Sequence, residues 1–111
     1  MRPQFPENKI DPKAIQKMES FHPLVVKEVQ DAIVKHEWVI VGMGMNPVVK
    51  SARRHLESKG ISYHYITHGS YFSQWKLRLA IKLWTGWPTF PQVFHKGIFI
   101  GGGADLRKYL P

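Results

Sequence analysis

Asn46 and Pro47 stand directly after an unbroken apolar run, Trp38-Val39-Ile40-Val41, and a Gly42-Met43-Gly44-Met45 turn. Asn is a favoured N-cap and Pro a favoured first helical residue, so the dipeptide predicts the opening of a helix. A helix start presents unpaired backbone N–H groups and the positive end of the helix dipole. It stabilises an anion, or lowers the pKa of a thiol. The chain contains no cysteine, so that chemistry has no sulfur to act on. Other candidates are thinner. Ser51, Ser70 and Ser73 have no evident histidine partner, which leaves no nucleophile beside a base. His36, His55, His64, His68 and His95 show no metal-ligand spacing on one element, and His64 with His68, flanking a strand end, is a weak zinc pair. Arg78 and Lys82 lie at i, i+4 on a predicted helix. Lys50, Arg53, Arg54 and Lys59 form a basic run whose ordinary reading is a solvated helix face.

The elements that must position these residues follow from pattern. Asp11-Pro12 reads as an N-cap and first-turn proline, predicting a short helix from Pro12 to Glu19 that carries Ile15 and Met18. Residues 1–20 are read as an N-terminal arm with that helix, the first ten without regular structure, and residues 21–111 as the domain proper. Pro23 opens a helix to about His36, with Val25 or Val26, Val29 and Ile33 at helical spacing. Trp38 to Val41 has the pattern of a strand buried on both faces. The helix that Asn46 caps runs to Lys59, with Gly60 as its C-cap and Val48, Val49, Ala52 and His55 or Leu56 as its buried stripe. Ile61 to Ile66 is a second strand, and Thr67 to Ser70 a loop. Tyr71 to Trp84 is a third long helix whose stripe is set by Trp75, Leu79 and Leu83, widened by Leu77, Ala80, Ile81 and Trp84. Gln92 to Phe94, a bend at Lys96-Gly97, and Ile98 to Ile100 make a hairpin. Gly101-Gly102-Gly103 then allows close backbone approach before a short helix, Ala104 to Leu110. Right-handed crossover makes the first two strands parallel, and the hairpin adds an antiparallel pair. The fold class is α/β, a four-stranded mixed sheet flanked by helices in the thioredoxin order.

At 111 residues the chain is one domain with a single real core. The absence of cysteine excludes a disulfide framework and any cysteine-ligated zinc or iron–sulfur site. The N-terminal segment has no apolar core of a signal sequence, and no apolar run approaches 18 residues, so a cytoplasmic protein with no membrane partner is expected. A net charge of +8 favours acidic partners: nucleic acid, anionic membrane surfaces, or small anions such as a peptide carboxylate.

The string Trp87-Pro88-Thr89-Phe90-Pro91-Gln92, followed by Lys96-Gly97 and Phe99-Ile100-Gly101-Gly102, resembles the second half of the glutaredoxins, most closely the monothiol branch. The resemblance covers about residues 24 to 110 and implies the thioredoxin-like (glutaredoxin) fold. It implies a cis peptide bond before Pro91, with the Thr89–Phe90 backbone against glutathione. By the same resemblance Asn46 occupies the nucleophile position of a Cys-Pro-x-Cys motif, Pro47 matches its proline, and Val49 occupies the resolving position. Met43 replaces the lysine three residues earlier. Arg78 and Lys82 match the Arg-x-x-x-Lys ahead of the Trp-Pro-Thr, whose arginine meets a glutathione carboxylate. The family's Gly-Gly-Cys-Asp becomes Gly101-Gly102-Gly103-Ala104, with Asp105 one step late. The front half thus has dithiol spacing and the back half monothiol wording.

The functional expectation is a cysteine-less, redox-inactive glutaredoxin-like protein, which resembles glutathione-dependent oxidoreductases without their catalytic cysteine and needs no cofactor. It keeps part of a groove for glutathione, bound weakly, or for an extended peptide or protein partner. The alternative is a basic nucleic-acid-binding or structural protein on the same scaffold, which lacks helix-turn-helix spacing and RNA-binding aromatic signatures.

Overall fold

The computed structural model describes residues 5–70 and 73–111. A 3-10 turn, Glu7–Lys9, lies in the segment expected to have no regular structure. It leads to helix α1, Pro12–Glu19, capped by the Asp11 carboxylate, which accepts from the Lys13 N–H at 2.7 Å. Helix α2, Pro23–Lys35, precedes strand β1, Trp38–Gly42, every residue of which is buried. Helix α3, Pro47–Ser58, strand β2, His64–Thr67, and helix α4, Trp75–Thr85, follow. Strands β3, Gln92–His95, and β4, Ile98–Gly101, form the hairpin, and helix α5, Gly103–Tyr109, closes the chain.

The sheet order is β2-β1-β3-β4. β1 runs parallel to β2, Val39 opposite His64, and antiparallel to β3, Ile40 opposite Val93. The alternation of a strand sends Val39 and Val41 to one face and Trp38 and Ile40 to the other, so β1 serves two cores. Val39 and Val41 join Val29 of α2, Ile81 of α4 and Phe94. Trp38 and Ile40 join Ala52 and Leu56 of α3 and Leu106 of α5. The layering is helix, sheet, helix, the mixed four-stranded α/β architecture of thioredoxin-like folds.

Three elements depart from the pattern reading. β2 begins at His64 rather than Ile61, because Gly60, with φ +70, and the residues after it only turn the chain from α3 to the sheet edge. α4 begins at Trp75, whose N-cap Gln74 sits in the left-handed region; the expected first turn at Tyr71 falls outside the described residues. The face that α4 buries is also rotated. Trp75 and Leu83 are exposed, while Arg78, Ala80 and Ile81 are inside. In α3, Val49, Ala52 and Leu56 are buried as the stripe predicts, but Val48 is half exposed and turns toward α5.

Candidate functional site

The loop from β1 to α3 is built on a glycine. A Cβ on Gly42 would lie 2.5 Å from Val49 Cγ1, so only glycine lets the first turn of α3 settle onto the end of β1. Gly44 N–H then donates to the Gly69 carbonyl at 2.6 Å, tying this loop to the one after β2. Met45 adopts φ +60 and is exposed, whereas Met43 is buried in the core. Asn46 caps the helix: its Oδ1 accepts from Val48 N–H at 2.9 Å and from Val49 N–H at 3.1 Å. The two orphan donors of the helix start are thus taken by an amide oxygen of the chain itself. Pro47 is exposed at N1, and the side chain of Val49 is buried.

The second wall is the turn before β3. The Phe90–Pro91 peptide bond is cis, and both residues are buried. Outside the strand ladders, the Phe90 backbone makes no hydrogen bond to a described residue. Lys82 places its Nζ 5.6 Å from the Phe90 ring centroid, which sets a positive charge beside this segment. Thr89 is exposed. The turn is held by Gln92, read from sequence as the start of a strand and the end of the family string, with no role for its side chain. Its fully buried amide donates from Nε2 to the carbonyls of Trp87 (3.1 Å) and Thr89 (3.4 Å), and its Oε1 accepts from Thr85 Oγ1 at 2.8 Å. A buried carboxamide is retained only when it is satisfied in this way.

The third wall is the glycine run. Gly101 has φ +111, and a Cβ there would meet Asp105 Oδ2 at 2.6 Å. Asp105, the third residue of α5, folds back so that Oδ2 accepts from Gly102 N–H at 2.9 Å. Its carboxylate therefore closes the start of α5. Ala104 is exposed. A Cβ on Gly103 would lie 3.0 Å from Val48 Cγ1 and 3.9 Å from Pro91 Cγ, and one on Gly102 would lie 3.5 Å from the Pro91 carbonyl. The α3 start, Pro91 and Gly102-Gly103 thus converge within van der Waals reach. Beside them, the Trp87 indole N–H is buried with no acceptor among the described residues.

Arg78 lies elsewhere in character. It is buried, and its Nη1 donates to the carbonyls of His68 (2.9 Å) and Ser73 (2.5 Å), holding the loop between β2 and α4. The i, i+4 spacing with Lys82 is real, but the two cations face different surroundings. The histidines do not converge. His64 stacks on His36 with ring centroids 4.3 Å apart, and His68 Nε2 lies 2.6 Å from Glu28 Oε1. No group of three or more metal-ligating side chains exists among the described residues. Ser51 Oγ is engaged by Arg107 and Ser73 Oγ accepts from Ser70 N–H, so neither is coupled to a histidine.

Arg53, read from sequence as part of a solvated run, is the other organised cation. Its guanidinium lies 3.9 Å from the centroid of the Tyr65 ring, and its Nε donates to Tyr63 Oη at 3.1 Å. Tyr63 Oη in turn donates to Glu57 Oε1 at 2.6 Å. Partial burial opposes the Arg53 charge, but the bond to Tyr63 and the nearby Tyr65 and Glu57 outweigh it and raise the pKa above its ordinary value. Partial burial and the Glu57 hydrogen bond push the Tyr63 phenol up, against the pull of Arg53. No helix among the described residues is long and apolar enough to cross a membrane.

No protein-family model matches the chain. It is 44% identical over 91 residues to a glutaredoxin-like protein of Dictyostelium discoideum, a match taking in 82% of this chain and 74% of that one. A stretch of 27 residues, 24% of this chain, is 59% identical to a segment forming 15% of the mitochondrial monothiol glutaredoxin-S4 of Oryza sativa subsp. japonica. The fold matches that of buckwheat glutaredoxin in its glutathione complex with a TM-score of 0.66, at 19% identity and over 78% of each chain. At that identity the likeness bears on fold alone. Identity of 44% across most of both sequences is different in kind: this protein belongs to the glutaredoxin-like family, as a member whose sequence contains no cysteine.

Proposed function

We propose that this chain is a redox-inactive glutaredoxin-like binding module, whose groove runs between the α3 start, the Phe90–Pro91 turn and Gly102-Gly103. The observation that carries this reading is Asn46 Oδ1 on the Val48 and Val49 N–H groups, at the position where the family holds its nucleophilic sulfur. Thiol–disulfide exchange requires a thiolate to attack sulfur, and a carboxamide cannot do so. What remains is recognition. The Phe90 backbone offers groups that no described backbone partner takes, Lys82 a cation beside it, and the converging Pro91 and Gly102-Gly103 a close-fitting wall.

Glutathione or an extended peptide is the proposed occupant, and no further cofactor is required. Affinity for glutathione is weak. Met43 brings no charge, Arg78 supports the wall by holding its loop, and Asp105 already accepts from Gly102 N–H. Each charge-assisted hydrogen bond removed costs roughly 1.5–3 kcal/mol, which places the dissociation constant in the ~millimolar range.

Calorimetry with reduced glutathione, oxidised glutathione and a size-matched anion tests binding, and a glutathione–disulfide turnover assay tests inactivity. The expected result is weak, saturable glutathione binding that Lys82→Gln reduces, with no turnover above the protein-free rate. Turnover would overturn the inactive reading. A salt-dependent oligonucleotide shift without glutathione binding would favour the basic nucleic-acid-binding alternative.

A further inference from the structure

A hollow of about 520 Å³ runs from the start of α3, at Asn46 and Pro47, along that helix to Arg53 and Tyr65, with none of Phe90, Pro91, Gly102 or Gly103 in its lining. Its apolar lining is Met43, Met45, Val49 and Tyr65, and its cations are Lys50 and Arg53. A few hundred cubic ångströms, largely apolar with a few convergent polar groups, is the size and character of a small-molecule site.

Arg53 is held there as few surface arginines are. Stacking on Tyr65 fixes the plane of the guanidinium, and the Nε bond to Tyr63 fixes its rotation. The two terminal nitrogens are left without a hydrogen-bond partner among the described residues. A planar fork with its outer edge free matches the two oxygens of a carboxylate or phosphate. Lys50, one turn earlier on the same helix, adds a second positive charge. Among the described residues no carboxylate lies within ion-pair distance of either cation. The acid on this face, Glu57, accepts from the Tyr63 hydroxyl instead. Neither cation is therefore tied up in an ion pair, although Glu57 stands near enough to favour the Arg53 charge. Because the fork is fixed before anything binds, little side-chain entropy is lost on binding. Met43 and Met45 supply a soft apolar wall that adapts to the rest of a ligand.

We propose that this hollow is a second binding site, sharing only the α3 start with the Pro91 groove, for a small organic oxyanion. Arg53 clamps the carboxylate or phosphate, and the Met43–Met45–Tyr65 wall takes a compact apolar group attached to it.

The chain has four methionines, so 13C-methyl labelling yields four signals, with Met43 and Met45 reporting on the hollow and the others serving as controls. The full chain is titrated with phenylacetate, phenyl phosphate and neutral phenylacetamide. At least one anion shifts the Met43 and Met45 methyls saturably, about tenfold or more tighter than phenylacetamide. The preferred anion identifies the head group. Arg53→Lys keeps the charge but loses the fork, and weakens that anion by about tenfold. Lys50→Gln weakens it less. Saturation by neither anion, or equal binding of phenylacetamide, overturns the site on the wild-type chain without recourse to any variant. So does an affinity unchanged in a folded Arg53→Lys protein.

Discussion

The side-chain oxygen of Asn46 sits 3.1 Å from the Val49 N–H, and the same oxygen also accepts from Val48. It does for α3 what an anion would do at an open helix start. Asn46→Ala leaves both donors to solvent and should cost about 1 kcal/mol of stability, within the usual 0.5–2 range for a cap. Asn46→Asp should be close to neutral. Urea denaturation midpoints measure both, and an Asn46→Ala protein as stable as wild type would mean the cap is not stabilising.

Asn46→Cys puts sulfur where the carboxamide oxygen now sits, and frees the Val48 and Val49 N–H groups for a thiolate. The thiol pKa should fall from its ordinary ~8.5 into the upper part of the activated range, roughly 6–7.5. Met43 is uncharged and buried, so position 43 adds no cation to drive it lower. Absorbance of the thiolate against pH reads this directly. Turnover with glutathione should stay poor because positioning, not thiol reactivity, limits exchange. A thiol titrating at the ordinary value would mean α3 does not begin at Pro47 in solution.

Gly42→Ala drives a methyl group to 2.5 Å from Val49 Cγ1. Overpacking of this kind costs about 1–3 kcal/mol. Val49→Ala alone also destabilises, by opening a cavity. The two changes together should cost less than the sum of their separate effects, because each relieves the other's steric fault. Additive losses in chemical denaturation would show that the contact is not the source of strain.

The Tyr63 phenol should titrate above pH 10, since partial burial and its hydrogen bond to Glu57 favour the neutral form. A folded-state pKa above the unfolded value contributes stability that is present below pH 10. It is lost as pH rises through the folded value. Ring 13C shifts in an alkaline titration follow it. Glu57→Gln should move the titration down toward the ordinary value, while Arg53→Gln should move it up, because Arg53 donates to the phenol oxygen.

The order of elements was legible because each was written in local terms. Asn46-Pro47 announces a helix start wherever it stands, Trp38 to Val41 can only be a strand covered twice, and Lys96-Gly97 must turn. The resemblance carried by the family strings implies Asn46 as the position of the missing sulfur. What the chain could not show locally was which side of α4 faces inward. Trp75, Leu79 and Leu83 make as good a stripe as Leu77, Ala80 and Ile81. The second set won because α2 and Phe94 lie on that side, with Arg78 carried inward to bond the carbonyls of His68 and Ser73. The same holds for Gln92, whose burial depends on Thr85 and the Trp87–Thr89 carbonyls closing around it. Arg53 is the sharpest case. As a letter in a basic run it is a solvated charge, and only the register that brings β2 alongside α3 lays it on Tyr65 and within reach of Tyr63. Hydrophobic period and turn residues act over a few neighbours. The partner of a buried or stacked polar side chain comes from another element, so tertiary packing alone decides it.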